Sequence, residues 1–220
     1  MTYTDLVNEV LIRLREDTVT TIGGSRLTVT DDPVVDIVKL AINDAKRTVE
    51  DAHQWSALRH DWTVTTQKGI HTYPLVGAKS FASIESIYGE SGLSIRNVKL
   101  SYIHKKAAGK PANNTPMYWA VNGQDLNGDV TIRFFSTPND AVDYTVHGFK
   151  RTPDLDQDSD QLKVPSTPVM YLAFALAARE RGEAGGAQAT ELFTMASMYL
   201  KDAIALDASL SDLDNEWNVI

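Results

Sequence analysis

The residues best suited to chemistry are the carboxylates of Asp154-Leu155-Asp156-Gln157-Asp158-Ser159-Asp160. Alternating carboxylates open a calcium-binding loop, where side chains at every second position converge on one ion. Here the pattern then breaks. Counted from Asp154, the sixth position is Ser159 where the sharp turn needs glycine, and the twelfth is Pro165 where a bidentate glutamate is needed. Counted from Asp156, those positions hold Gln161 and Thr167. The run therefore reads as a solvated acidic loop between a strand and a helix, and no metal site is expected.

Other chemistries fail on residue type or spacing. The histidines His53, His60, His71, His104 and His147 form no H-E-x-x-H pair and no other metal-ligand spacing on one helix. They read as surface or packing residues. The chain has no cysteine, so a disulfide scaffold, a thiolate metal site and a cysteine nucleophile are excluded. Neither the P-loop nor the G-x-G-x-x-G phosphate-binding pattern is present, and no serine sits in a G-x-S-x-G elbow. Asn113-Asn114-Thr115 matches a glycosylation sequon, but MTYTDLVNEV lacks the basic–apolar–small order of a secretion signal. The expectation is a protein without catalytic residues or cofactors.

The elements that would position any site read helix–helix, then strands, then helix–helix. Leu6, Val7, Val10, Leu11 and Leu14 predict a first helix from about Thr4 to Asp17, capped by Thr4 or Asp5. Gly23-Gly24 is a turn, and Arg26 to Thr30 alternates briefly as a strand would. Asp32 caps a second helix with Pro33 in its first turn, and its apolar face runs from Ile37 to Ala52, ending near Trp55. From about Trp62 to Lys150, short alternating stretches such as WTVTT and VTIRFF are punctuated by Gly and Pro. Short strands with frequent turns predict a small antiparallel sheet or sandwich, with a short helix near Lys99 to Ala107. Helix returns with Thr167 as cap and Pro168 in the first turn, and a last helix runs from about Ala187 to Asp207.

Two amphipathic helices cannot bury their stripes alone, whereas four can. The expected fold is thus α+β: a four-helix bundle formed by the N- and C-terminal helix pairs, with an inserted small antiparallel β domain. Residues 1–60 and 165–207 would form the bundle, 61–164 the β domain and 208–220 a C-terminal tail. The length of 220 residues and the 43% apolar content suit one large domain with such an insertion. Twenty-one Lys/Arg against 29 Asp/Glu give a formal charge of −8, unlike a general binder of nucleic-acid backbone. Such a surface could face DNA without holding it. No stretch approaches the ~20 apolar residues that a membrane span requires, so no membrane partner is expected.

The tryptophans divide by context. Trp55 and Trp62 flank the helix-to-strand change and are expected to join the two parts, while Trp119 reads as core. Trp217 lies in the tail, where it either docks on a partner or packs back on its own chain. The apolar tail residues Leu210, Leu213, Trp217, Val219 and Ile220 are the candidate partner-contact residues.

Three features together resemble the head-to-tail adaptor (connector) family of tailed phages, the tail tubular protein A-like proteins. The first is a helical pair running through an aromatic residue into a strand, DAHQWSALRHDWTVTTQKGIHTYPLVG, with Gly69, Tyr73, Pro74 and Leu75 in the order of that family's first hairpin. The second is GKPANNTPMYWAVNG, with Gly and Pro ahead of an aromatic strand and a further Gly. The third is an acidic loop, Val164-Pro165 and two closing helices. The resemblance implies a structural virion protein in the neck, forming a homo-oligomeric ring, usually twelve-fold, below the portal protein and above the tail nozzle or tail tube. The helical part and extended C-terminus would contact the portal, and the β part the tail. DNA would be cargo passing through the ring, and assembly would occur in the host cytoplasm. Two other readings stay open: an enzyme whose scattered carboxylates converge in a pocket, and a receptor- or carbohydrate-binding β module that presents Tyr102, Tyr118 and Trp119 together.

Overall fold

The computed structural model describes residues 1–22, 32–79, 82–90, 92–109, 115–182 and 185–216, and for 211–216 the backbone alone. The chain divides into two compact units: a helical unit of Met1–Leu58 and Thr152–Ile220, and a β unit of Arg59–Arg151.

In the helical unit, α1 (Tyr3–Arg13) starts earlier than its apolar stripe suggests. Thr2 is the cap. Its Oγ1 accepts from the Asp5 amide at 3.2 Å, and the Asp5 carboxylate accepts from the Thr2 amide at 2.9 Å. That reciprocal box satisfies two of the free donors of the first turn. The alternation at Arg26–Thr30 lies outside the described residues. Helix α2 (Pro33–Ala52) starts as its sequence predicts, with Asp32 Oδ1 accepting from the Val34 amide at 2.8 Å. It stops at Ala52, short of Trp55, because His53 is extended; Trp55 folds back and donates Nε1–H to the Val49 carbonyl at 2.7 Å. Helix α4 (Ser166–Glu180) follows Pro165 with no side-chain cap, so Thr167 does not play that part. Helix α5 (Gly186–Glu216) continues well past Asp207.

The inward side of α2 is not purely apolar. Lys39, Asn43, Lys46 and Glu50 are buried beside Val38, Ile42 and Val49. Lys39 Nζ meets Asp36 on the same helix at 3.4 Å; for Asn43, Lys46 and Glu50 the partner is the extended segment that returns from the β unit. Asn43 pairs with Leu155 as a strand would, its Oδ1 accepting from the Leu155 amide at 2.8 Å and its Nδ2 donating to the Leu155 carbonyl at 3.1 Å. Lys46 Nζ lies 3.1 Å from Glu50 Oε1 and donates to the Thr152 carbonyl at 2.9 Å. Thr152 Oγ1 donates to Glu50 Oε1 at 2.6 Å. Burial pulls the Lys46 pKa down, and Glu50 only partly restores it.

The β unit holds β1 (Arg59–Thr65), β2 (Thr72–Lys79), β3 (Ser83–Gly89), β4 (Ser94–Asn97), α3 (Leu100–Ala107), β5 (Tyr118–Gln124), β6 (Asp129–Phe135) and β7 (Asp143–Phe149). The strands form one seven-stranded sheet in the order β1-β7-β3-β4-β5-β6-β2. All paired neighbours are antiparallel except β4 and β5, which run parallel and are joined through α3. The outermost strands β1 and β2 also meet, so the sheet curls into a nearly closed barrel. Its interior is filled by Trp62, Leu75, Ile87, Trp119, Ile132 and Val146.

The expected fold is therefore corrected. The described residues hold five helices and a seven-stranded mixed sheet, not a four-helix bundle carrying a small antiparallel insertion. Two physical reasons account for the difference. In the helical unit α5 packs mainly on α4, and the side of α1 and α2 that a bundle would cover with a helix is covered by the extended segment from Thr152. In the β unit, strands too short to stand as a two-sided sheet bury their inner faces by curling around a common core. Trp55 and Trp62 each sit in the core of their own unit.

Two outcomes follow. Lys46→Met strands a buried carboxylate and is expected to cost about 3–5 kcal/mol in urea unfolding, whereas Lys46→Met/Glu50→Leu recovers much of that loss. Gly148→Ala would bring a Cβ within 2.2 Å of the Ser83 carbonyl oxygen. It is expected to lower the stability of the β unit by at least 1–3 kcal/mol, roughly the cost of overpacking, read from its thermal transition.

Candidate partner-contact surfaces

The acidic run is not a solvated loop; it is a docked strap. The Asp160 carbonyl accepts from the Tyr3 amide at 2.8 Å, and Asp158 Oδ1 accepts from the Ile22 amide at 3.1 Å. Asp160 Oδ2 accepts from the Asp156 and Gln157 amides, both at 2.8 Å, which closes the turn. Asp154 forms a two-point ion pair with Arg47, and Leu155 is buried. These carboxylates thus serve as acceptors for backbone and guanidinium donors. Among the described residues, no three His, Cys, Asp or Glu side chains group to hold a metal ion.

The histidines are dispersed. His53 Nε2 lies 3.2 Å from Asp207 Oδ2, and the His60 ring stands edge-on to Trp62 at 4.8 Å. His71 is held below its ordinary pKa by burial and by the Arg133 charge. His104 meets Arg133 at 3.3 Å, and His147 pairs with Asp61.

Two shallow pockets lie on the β unit. One, of about 550 Å³, is lined by Glu90, Leu93, Ile95, Met117 and Tyr144 among others, with Glu90 its single carboxylate among the described residues. The other, of about 590 Å³, is lined by Arg96, Lys99, Lys105, Tyr102 and Tyr118 among others. Trp119 is 1% exposed and donates Nε1–H to the Ile95 carbonyl at 3.0 Å, so it cannot join Tyr102 and Tyr118 on an outer face. The aromatic platform that a binding module would need is thereby missing its largest member.

Helix α5 has two different sides. Ala196 and Ala203 are buried, and Leu192, Leu200 and Ile204 pack partly against the core. Tyr199 stacks on Tyr171 with ring centroids 4.4 Å apart, and Arg13 covers the Tyr171 ring at 5.2 Å. Away from that core, Leu206 is 70% exposed and Leu210 60% exposed, one helical turn apart. Of the candidate contact residues, Leu210 is thus open, Leu213 belongs to α5, and Trp217, Val219 and Ile220 lie outside the described residues.

The end of the packed part of α5 is fixed by one carboxylate. Asp207 Oδ1 accepts from Ser56 Oγ at 2.6 Å, and Oδ2 accepts from the Ser56 amide at 3.0 Å. Burial alone would raise the Asp207 pKa. The Ser56 hydrogen bonds and His53 outweigh it and hold the carboxyl below its usual range. Sequence reading missed this anchor because its partners lie about 150 positions apart.

The family model of the SU10 adaptor protein matches residues 1–216. The chain belongs to that family of phage head-to-tail adaptors. No curated protein matches the sequence. No helix among the adaptor's described residues is long and apolar enough to cross a membrane.

The two units of the adaptor differ sharply in charge. The helical unit carries 10 Lys/Arg against 22 Asp/Glu, a formal −12, and the β unit 11 against 7, a formal +4. The chain total of −8 hides this division.

Because the Asp207 pKa is depressed on folding, its contribution is complete above the unfolded value near 4 and is lost as pH falls through the folded value. Asp207→Asn is expected to lower stability at pH 7 by about 1–3 kcal/mol and to flatten the acid limb of the stability–pH profile, measured by urea unfolding.

Proposed function

We propose that this adaptor joins the portal ring to the tail as a ring of identical subunits, twelve in number, that surrounds the DNA exit channel. The family match over residues 1–216 carries the reading. Its work consists of contacts, with no chemical step and no cofactor. The portal is met by the helical unit and the end of α5, and the tail nozzle or tail tube by the β unit. DNA passes through as cargo during ejection. The protein resides in the virion neck, after assembling in the host cytoplasm.

Two observations support the assignment of surfaces. Leu206 and Leu210 are large apolar residues exposed on α5, and the sequence continues with Leu213, Trp217, Val219 and Ile220 in an otherwise acidic segment. Exposed aliphatic and aromatic groups in series are what a partner groove buries. The −12 of the helical unit suits a wall past which a polyanion slides without adhering.

Co-purification with the matching portal protein tests the proposal. The wild-type adaptor is expected to be retained by immobilised portal, and Leu206→Glu/Leu210→Glu to bind at least about ten-fold more weakly with an unchanged melting temperature. A chain that associates with neither portal nor tail proteins contradicts the proposal. Wild-type affinity in the double variant contradicts the placement of the contact on α5.

A further inference from the structure

Between Glu90 and Asp125 the sequence contains no Asp or Glu but five Lys/Arg: Arg96, Lys99, Lys105, Lys106 and Lys110. In a chain with 29 acidic residues among 220, such a stretch should hold four or five carboxylates. Folding gathers four of these cations. Arg96 lies in β4, Lys99 caps α3, and Lys105 and Lys106 occupy its last turn. All four are exposed, and none takes part in an ion pair among the described residues. Unpaired like charges on one face repel one another, a cost that an anionic ligand would remove.

Aromatic rings border the same face. Tyr102 is 37% exposed and packs edge-on to Tyr118 at 5.5 Å, with Lys106 Nζ 5.7 Å from the Tyr102 ring centre. Arg96, Lys99, Lys105 and the two tyrosines line one pocket of about 590 Å³ that has no carboxylate among the described residues of its wall.

We infer that this α3–β4 face binds the phosphodiester backbone of duplex DNA without regard to sequence. From Lys99 to Lys106 the chain rises about 10 Å, at 1.5 Å per residue. That is about three steps of the 3.4 Å interval at which one strand's phosphates recur along the duplex axis. Three of the four cations are lysines, flexible point charges that follow a repeating phosphate. A duplex presents one negative charge per about 1.7 Å of its axis, a uniform anionic surface that suits a row of unpaired cations with no carboxylate among them. The tyrosine hydroxyls add donors for phosphate oxygens. The chain-wide acidity that argued against backbone binding is thus local to the helical unit, and the β unit carries its own anion-binding face. The inference rests on charge and geometry and does not require the portal-joining role.

The test is a heteronuclear NMR titration of the full chain with a 20-base-pair duplex in 50 mM salt, repeated with Lys99→Glu/Lys105→Glu. Amide shifts are expected in Ser94–Ala107 and at Tyr118. With about four phosphates neutralised, affinity should fall about 100-fold between 50 and 200 mM salt. In the double variant the shifts should vanish or the salt dependence drop to about ten-fold. Three results would overturn the inference: no shifts on this face, shifts unchanged in the variant, or shifts on this face that arise from raising the concentration of the chain alone, which would make a second copy the ligand. Portal retention of the same variant, measured in parallel, separates the outcomes. Retention without DNA shifts sinks this inference and leaves the adaptor role standing.

Discussion

The helical unit depends on a buried ion pair. Lys46 and Glu50 are fully withdrawn from solvent on α2, where an unpaired charge would be untenable. Each is completed by Thr152, the first residue of the segment returning from the β unit: its carbonyl accepts from Lys46 and its hydroxyl donates to Glu50. Asn43 then holds Leu155, Arg47 holds Asp154, and the strap ends against the start of α1 through Tyr3 and Thr4. A purely apolar stripe would accept any apolar segment in any register. A Lys–Glu–Thr constellation accepts one segment in one register, so the return point of the chain is set by unsatisfied polar groups.

How much of this was legible in the sequence depended on whether cause and effect were neighbours. Asp32-Pro33 marked the start of α2 because capping is local, and Lys99–Ala107 was recognisable as a short helix. Thr4 and Asp5 look as able to cap α1 as Thr2 does, and only the folded chain shows that Thr2 meets the Asp5 amide. Lys46 and Glu50 have the spacing of a solvent-facing helical pair, and nothing local reveals that residue 152 covers them. Asp154–Asp160 looked solvated for the same reason. The parallel pairing of β4 with β5, and the meeting of β1 with β2, link strands whose individual patterns carry no record of their partners. The family resemblance does not depend on these partners, because it rests on the order of features along the chain.

Charge is organised by unit. The helical unit holds all of the excess acid, while the β unit, net basic, has an α3–β4 face with no carboxylate among its described residues. The apolar residues exposed late on α5 lie just beside the Asp207–Ser56 anchor, so Leu206 and Leu210 are held on a fixed base.

The most direct measurement is the oligomeric mass of the adaptor with and without the matching portal protein, by native mass spectrometry. A single 24.3 kDa chain on its own, shifting to a portal-bound ring with one adaptor per portal subunit, is the expected result. A chain whose mass is unaffected by the portal, at concentrations where the portal ring is intact, would contradict it.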